Sequence, residues 1–149
     1  MRSIWFSLID PSVAEVCATL ESAGFHPFPE IVGVFRYPHL DQPGLFIQCE
    51  DYQWVERLDL HEEYDELVLA IGGAKPSVYV LVDVSQHIPG DSEVRDIARC
   101  LLQSYSGYAF DDFLSYSHAW TLQEIEENAS FNGLYFFDYE GHYRLSRQT

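Results

Sequence analysis

Seven residues, Val78-Tyr79-Val80-Leu81-Val82-Asp83-Val84, constrain this chain more than any other stretch. A nearly continuous run of β-branched and apolar side chains suits a strand inside a sheet, covered on at least one face. The segment before it, Glu66-Leu67-Val68-Leu69-Ala70-Ile71, has the same character, and Gly72-Gly73-Ala74-Lys75-Pro76 between them is rich in turn formers. The two segments predict a hairpin, and with it an antiparallel sheet. After the strand, Pro89-Gly90 breaks the chain and Asp91 or Ser92 offers a helix cap. Val94, Ile97, Ala98, Leu101, Leu102 and Tyr105 then share one face of a helix over 92–105. Glu93, Asp96, Arg99 and Gln103 lie opposite, and Gly107 ends it.

The N-terminal unit reads as plainly. Residues 4–9 form a strand, Asp10 is an N-cap and Pro11 takes the first helical position. Val13, Val16, Cys17 and Leu20 make the apolar stripe of a helix over 11–23, widened by Ala14 and Ala18, with Gly24 as its stop. Residues 25–29 are an extended connector, because a residue before proline is pushed out of the α region. Strands are expected over 31–37 and 45–49, joined through 38–44, with a third over 52–58 and a helical turn over 61–65. Thr121-Leu122-Gln123-Glu124 has the form of a capping box opening a short helix. Residues 134–138 and 142–145 flank Tyr139-Glu140-Gly141 as a closing hairpin. Strands and helices mix without regular alternation and without a repeat. The expected fold is therefore α+β, one domain over 1–149: a mostly antiparallel sheet, two main helices packed on it, and a C-terminal hairpin.

Charge is the unusual global property. Twenty-four Asp and Glu against eight Lys and Arg leave −16. Residues 50–66 hold Glu50, Asp51, Glu56, Asp59, Glu62, Glu63, Asp65 and Glu66 against Arg57 alone. Residues 111–127 hold five acids and no Lys or Arg, so the two stretches carry −7 and −5 of the total. Such a field repels nucleic acid and anionic membranes and attracts basic partners. Twelve of the 23 aromatics fall within 105–143, yet stacking on a single strand needs a basic groove beside the rings. Here they adjoin an acidic stretch, so no direct contact with nucleic acid is expected. No stretch approaches the ~20 apolar residues of a membrane span, and the N-terminal apolar run, stopped at Asp10-Pro11, is too short for a signal peptide. Cys17, Cys49 and Cys100 are odd in number and widely spaced, as free thiols of a reducing cytoplasm would be.

Glycine-rich nucleotide loops, CxxC pairs, HExxH and GxSxG are all missing, and His26, His39, His61, His87, His118 and His142 stand singly. Neither a cofactor nor a metal is expected. Two acid–base constellations can be drawn: Asp111 and Asp112 with His118, near Ser115 and Ser117, and His87 with Asp91. Adjacent residues 111 and 112 point in different directions, and helix capping accounts for Asp91, so no catalytic role is assigned. A contact surface is the stronger candidate. Asp111, Asp112, Tyr116, Trp120, Glu124 and Glu127, with Glu126 beside them, combine large rigid anchors with negative charge. The opposing reading places Phe110, Phe113 and Trp120 in the core, with the carboxylates merely facing water.

Three segments carry a family resemblance: Val94-Arg95-Asp96-Ile97-Ala98-Arg99-Cys100-Leu101-Leu102, Gly107-Tyr108-Ala109-Phe110-Asp111-Asp112-Phe113 and Trp120-Thr121-Leu122-Gln123-Glu124-Ile125. Over roughly residues 78–125 the chain resembles small acidic bacterial immunity proteins of the swarming-inhibition type. These neutralise a cognate, often basic, toxin delivered by neighbouring cells. The resemblance implies a cytoplasmic protein, not itself an enzyme, that occludes a toxin's active cleft with an acidic-aromatic surface; it carries over no binding residue. Two readings of other classes stand beside it: a small enzyme working through Asp111, Asp112 and His118, and an adaptor domain whose partner is not a toxin.

Overall fold

The computed structural model describes residues 2–36 and 44–147. In chain order the elements are β1 (Arg2–Leu8), α1 (Val13–Ser22), β2 (His26–Pro27), β3 (Val34–Arg36), β4 (Leu45–Asp51), α2 (Gln53–Arg57) and α3 (His61–Ala70). They continue with β5 (Val78–Val84), α4 (Asp91–Ser104), β6 (Gly107–Asp111), α5 (Leu122–Glu126), β7 (Ser130–Phe131), β8 (Leu134–Tyr135) and α6 (Tyr139–Ser146).

β5 alternates as an interior strand must: Val78, Val80, Val82 and Val84 are buried on one face, while Tyr79, Leu81 and Asp83 are half-buried on the other. Its neighbours are β1 and β4, both antiparallel, within a six-stranded sheet of order β2-β3-β4-β5-β1-β6. The α+β class with helices on an antiparallel sheet is thus the one expected. The hairpin partner expected for β5 is absent, because residues 66–71 belong to the end of α3 and its C-cap. Leu67 and Ile71, one helical turn apart, are buried, whereas Leu69 is 78% exposed. A strand would have placed all three on a common face.

One face of the sheet carries the main core. Val16 and Leu20 of α1 and Val94, Ile97, Ala98 and Leu101 of α4 pack onto Ile4, Phe6, Leu8, Leu45, Ile47 and the valines of β5. Each large apolar side chain so buried contributes ~1.5–3 kcal/mol, which is what holds two otherwise solvated helices in place. The Thr19 and Tyr105 hydroxyls, 2.6 Å apart, tie α1 to the end of α4.

Helix ends depart from expectation. Ser12, not Asp10, caps α1: its hydroxyl accepts from the Glu15 amide while the Glu15 carboxylate accepts from the Ser12 amide, both at 3.2 Å. Asp10 sits in a left-handed turn at φ 80°, Pro11 precedes the helix, and Ala14 and Ala18 are exposed rather than part of the stripe. α4 starts behind Gly90, so neither Asp91 nor Ser92 is its cap. Gly90 has φ 82°, and a Cβ there would fall 2.6 Å from Val84 Cγ1, so only glycine fits.

Three further elements correct the sequence reading. Residues 52–58 hold α2 rather than a strand; Asp51 Oδ1 accepts from the Gln53 amide at 3.0 Å and turns the chain into a helix. β6, unforeseen, takes the free side of β1, and its outer side is covered where Ala109 and Trp120 exchange backbone bonds of 2.9 and 2.8 Å. The C-terminal hairpin is not at 134–145 but earlier, where β7 and β8 pair across Asn132 and Gly133, at φ 52° and 80°. That left-handed pair is what an Asn-Gly hairpin turn requires. Residues 139–146 are instead α6, opened by Asp138, whose Oδ1 accepts from the Gly141 amide at 2.9 Å. A Cβ on Gly141 would lie 2.4 Å from Asp138 Oδ2, so this glycine makes room for a cap rather than a turn. Gly141→Ala should displace that cap and cost ~1–2 kcal/mol, read as a lower denaturation midpoint. The strand expected over 31–37 narrows to β3, and Tyr37 and the connector through 43 lie outside the described residues.

Candidate functional site

The second face of the sheet is built differently from the first. Alternation turns Phe46, Gln48 and Glu50 of β4, Tyr79, Leu81 and Asp83 of β5, Ser3, Trp5 and Ser7 of β1, and Tyr108 and Phe110 of β6 away from the two main helices. α3 covers one end of this face, where Leu67 and Ile71 pack beside Phe110, Trp5 and Tyr116. Trp5 stacks on Phe110 at 5.4 Å, and Tyr116 stands edge-on to both at 6.1 and 6.0 Å. Polar groups fill the rest. Ser3 donates to Asp83 at 2.6 Å, and Glu50 accepts from Gln48 at 2.5 Å and from the Tyr79 hydroxyl at 3.1 Å. Burial, then the Glu50 charge, push the Tyr79 hydroxyl up to about 12, so it stays a neutral donor.

On this side α3 brings acids of the 50–66 stretch to the aromatic cluster, whereas Glu126 of the other stretch pairs with Arg99 of α4. Burial raises the Tyr116 hydroxyl first, and the carboxylates of Glu63 and Glu66 on α3 raise it further. The acids of α3 (Glu62, Glu63, Asp65 and Glu66) are all exposed, as is Asp112 at the start of the turn that carries Tyr116. Glu62 and Glu63 sit in the first helical turn, where the helix dipole favours negative charge. A rim of carboxylates thus borders an aromatic cluster built from β1, β6 and the turn after β6.

The six residues expected to make a contact surface do not form one. Asp111 and Trp120 are fully buried and cannot touch a partner. Both Asp111 oxygens face the Phe137 amide, at 3.2 and 3.3 Å. Burial pushes its carboxyl up to about 7, the Phe137 amide and the Trp120 indole pull the other way, and Asp138 and Asp112 add to the rise. The indole N–H lies close enough to favour the carboxylate yet makes no bond of ordinary geometry. Trp120 belongs to the helix-face core while Tyr116 belongs to the opposite cluster, so two nearby aromatics serve different layers. Glu124 is spent locally: it closes the capping box with Thr121 and meets His118 Nε2 at 2.9 Å. Burial opposes its charge, but the Thr121 amide and His118 outweigh that and hold it below the usual carboxylate range. Asp112 and Glu127 are exposed, and Tyr116 is half-buried.

The acid–base constellation is likewise taken apart. His118 is stacked on Phe131 and edge-on to Trp120, both at 4.4 Å, while Asp111 is bonded to Phe137 and Asp112 is exposed. A carboxyl near pH 7 is suited to proton transfer, but Asp111 has no exposed atom from which to reach a substrate. His87 is exposed on the loop before α4, and Asp91 is the first residue of that helix. Among the described residues no three His, Cys, Asp or Glu side chains gather as a metal would need, and no helix is long and apolar enough to cross a membrane. Cys17, Cys49 and Cys100 are free thiols, each raised by burial.

Sequence reasoning found the charge but missed the contribution of α3, whose acids were assigned to a turn and a strand. The signal was present in the i, i+4 pair Leu67 and Ile71, with acids at 62, 63, 65 and 66 around it. Two cavities flank α2 beside this margin: one of about 480 Å³ shared with α3, and one of about 300 Å³ on the side of Trp54 and Arg57. No family model, no curated protein and no solved structure matches the chain.

Proposed function

We propose that this chain is a binding protein of the immunity type, not itself an enzyme, acting in the cytoplasm by covering a basic protein toxin. The observation that supports the reading is the row of exposed acids on α3 that reaches Tyr116, next to the Trp5–Phe110 stack. A net charge of −16 alone suits many acidic proteins. Charge gathered around a cluster of half-buried rings suits fast, salt-sensitive capture followed by slow release. The contact surface is Glu62, Glu63 and Glu66 of α3 with Asp112 and Tyr116; Asp111 and Trp120 drop out because they are buried.

The test begins with capture from a lysate of the source cell at low and high salt. One stoichiometric basic protein is expected, toxic when expressed alone and harmless when expressed with this chain. Glu62→Lys, Glu63→Lys and Glu66→Lys together alter only exposed positions. They should leave the chain folded, with only a small fall in the unfolding midpoint from the helix dipole, and weaken that complex about tenfold or more, chiefly through slower association at low salt. A captured partner that the triple variant binds undiminished would remove this surface. No partner at either salt would remove the reading itself.

A further inference from the structure

The cavity between α2 and α3 has a lining that selects one kind of ligand. Its walls are the half-buried Tyr52 and Tyr64 with the buried Val55, and its mouth carries the exposed Asp51, Gln53, Glu56 and His61. The two rings stand 5.3 Å apart at 62°. Both hydroxyls are engaged with the protein, Tyr52 with Ser7 Oγ at 2.9 Å and Tyr64 with the Pro76 carbonyl at 3.3 Å. The cavity is therefore offered ring surface and a valine. At its mouth, one Asp51 oxygen accepts from the Gln53 amide, and the Glu56 carboxylate makes no hydrogen bond or ion pair among the described residues.

The neighbouring cavity shows what such a lining accommodates. It is lined by Glu50, Asp51 and Trp54 together with Arg57, so a cationic side chain of the chain itself borders that cavity. The cavity shared with α3 has the same combination of rings and carboxylates, but no Lys or Arg lines it. Its volume of about 480 Å³ lies within the ordinary range of ligand pockets.

We infer that this cavity receives an arginine side chain from a basic protein partner, with the guanidinium plane against one of the two tyrosine rings and Asp51 and Glu56 accepting its N–H groups. Arginine fits better than lysine, because a planar, weakly hydrated guanidinium stacks on rings and forks to carboxylates, while an ammonium does neither as well. The surrounding acids of α3 raise the local concentration of such a cation. The identity of the partner rests on the immunity-type reading; the chemistry of the cavity does not.

The experiment is a titration of isotope-labelled protein, followed by amide chemical shifts, with acetyl-arginine amide and with its uncharged citrulline counterpart. Saturable shifts confined to residues 51–56 and 61–64 are expected with the arginine probe, with citrulline about tenfold weaker or more. Glu56→Gln, at an exposed position, should weaken the arginine probe several-fold without moving the unfolding midpoint. Equal shifts from both probes, or shifts only elsewhere, overturn the inference. Arginine binding in this cavity with no basic partner captured would leave the site standing and remove the immunity-type reading. A captured toxin whose affinity ignores Glu56→Gln would do the reverse.

Discussion

Replacing Trp120 with alanine should lower the unfolding free energy by about 3–5 kcal/mol, a large part of the ~5–15 kcal/mol a domain of this kind holds. The indole is fully buried, lies at 6.1 Å from Phe136 and 4.4 Å from His118, and sits where the backbone pairs with Ala109. Alanine keeps the two backbone bonds of that bridge but empties the space between β6, α5 and the C-terminal segment. Trp120→Phe keeps most of the ring area and gives up only an indole N–H that makes no bond of ordinary geometry, so it should cost much less than the alanine change. Chemical denaturation of the two variants gives the comparison. A contact residue would behave otherwise: Trp120→Ala would weaken partner binding and leave the midpoint where it was. An unchanged midpoint would return Trp120 to the surface on which the sequence had placed it.

The parts of the fold legible in the sequence are those where a single periodicity admits one answer. α4 is such an element, because an i, i+3, i+4 stripe over fourteen residues has no competing reading, and β5 is legible from its four β-branched valines at alternate positions. Residues 67–71 were not legible, since five consecutive apolar residues satisfy both periods, and only exposure separates Leu69 from Leu67 and Ile71. Gly141 misled for another reason. Glycine commonly marks a turn, and here it yields space to the Asp138 carboxylate at the start of a helix. The Asn132-Gly133 pair carried the stronger hairpin signal. The candidate site suffered most, because charge was counted along the chain. Asp111 and Asp112 point in different directions as neighbours, but only the pairing of β6 shows that Asp111 is the one buried in the helix-face core and Asp112 the one exposed. Glu63 and Glu66 are distant from Tyr116 in sequence and adjacent in space, a relation that depends on α3 being a helix laid over β6.

Asp111→Asn should flatten the dependence of stability on pH between about 4 and 7, and make the protein more stable than the parent at pH 8. Burial lifts this carboxyl from its usual 3.8 to about 7, against the Phe137 amide and the Trp120 indole that favour its charge. Below both values the folded and unfolded chains each hold the proton, and the group contributes nothing. As pH rises through the window, the unfolded chain releases its proton first. Stability then falls by roughly 1.4 kcal/mol per pH unit, and above 7 it levels off about 4 kcal/mol lower. The acids facing the site from its neighbours work in the same sense, while Arg2 stands over the Phe137 ring at 5.1 Å. Asp112 follows on the turn, Asp138 belongs to the cap of α6, the Tyr139 hydroxyl is raised by both Asp111 and Asp112, and Arg2 is occupied with the carbonyls of Ser85, Ile88 and Pro89. Asparagine keeps an acceptor for the Phe137 amide and carries no charge to desolvate. The measurement is a pair of denaturation series at pH 5 and pH 8, taken as the difference between parent and variant so that the histidines common to both cancel. The parent should lose stability on going from 5 to 8, and the variant should lose far less. If the variant is the weaker protein at pH 8 by as much as at pH 5, the ionic bond to Phe137 outweighs the cost of burying the charge. Asp111 would then be a fastener of the C-terminal segment rather than a burden the fold carries.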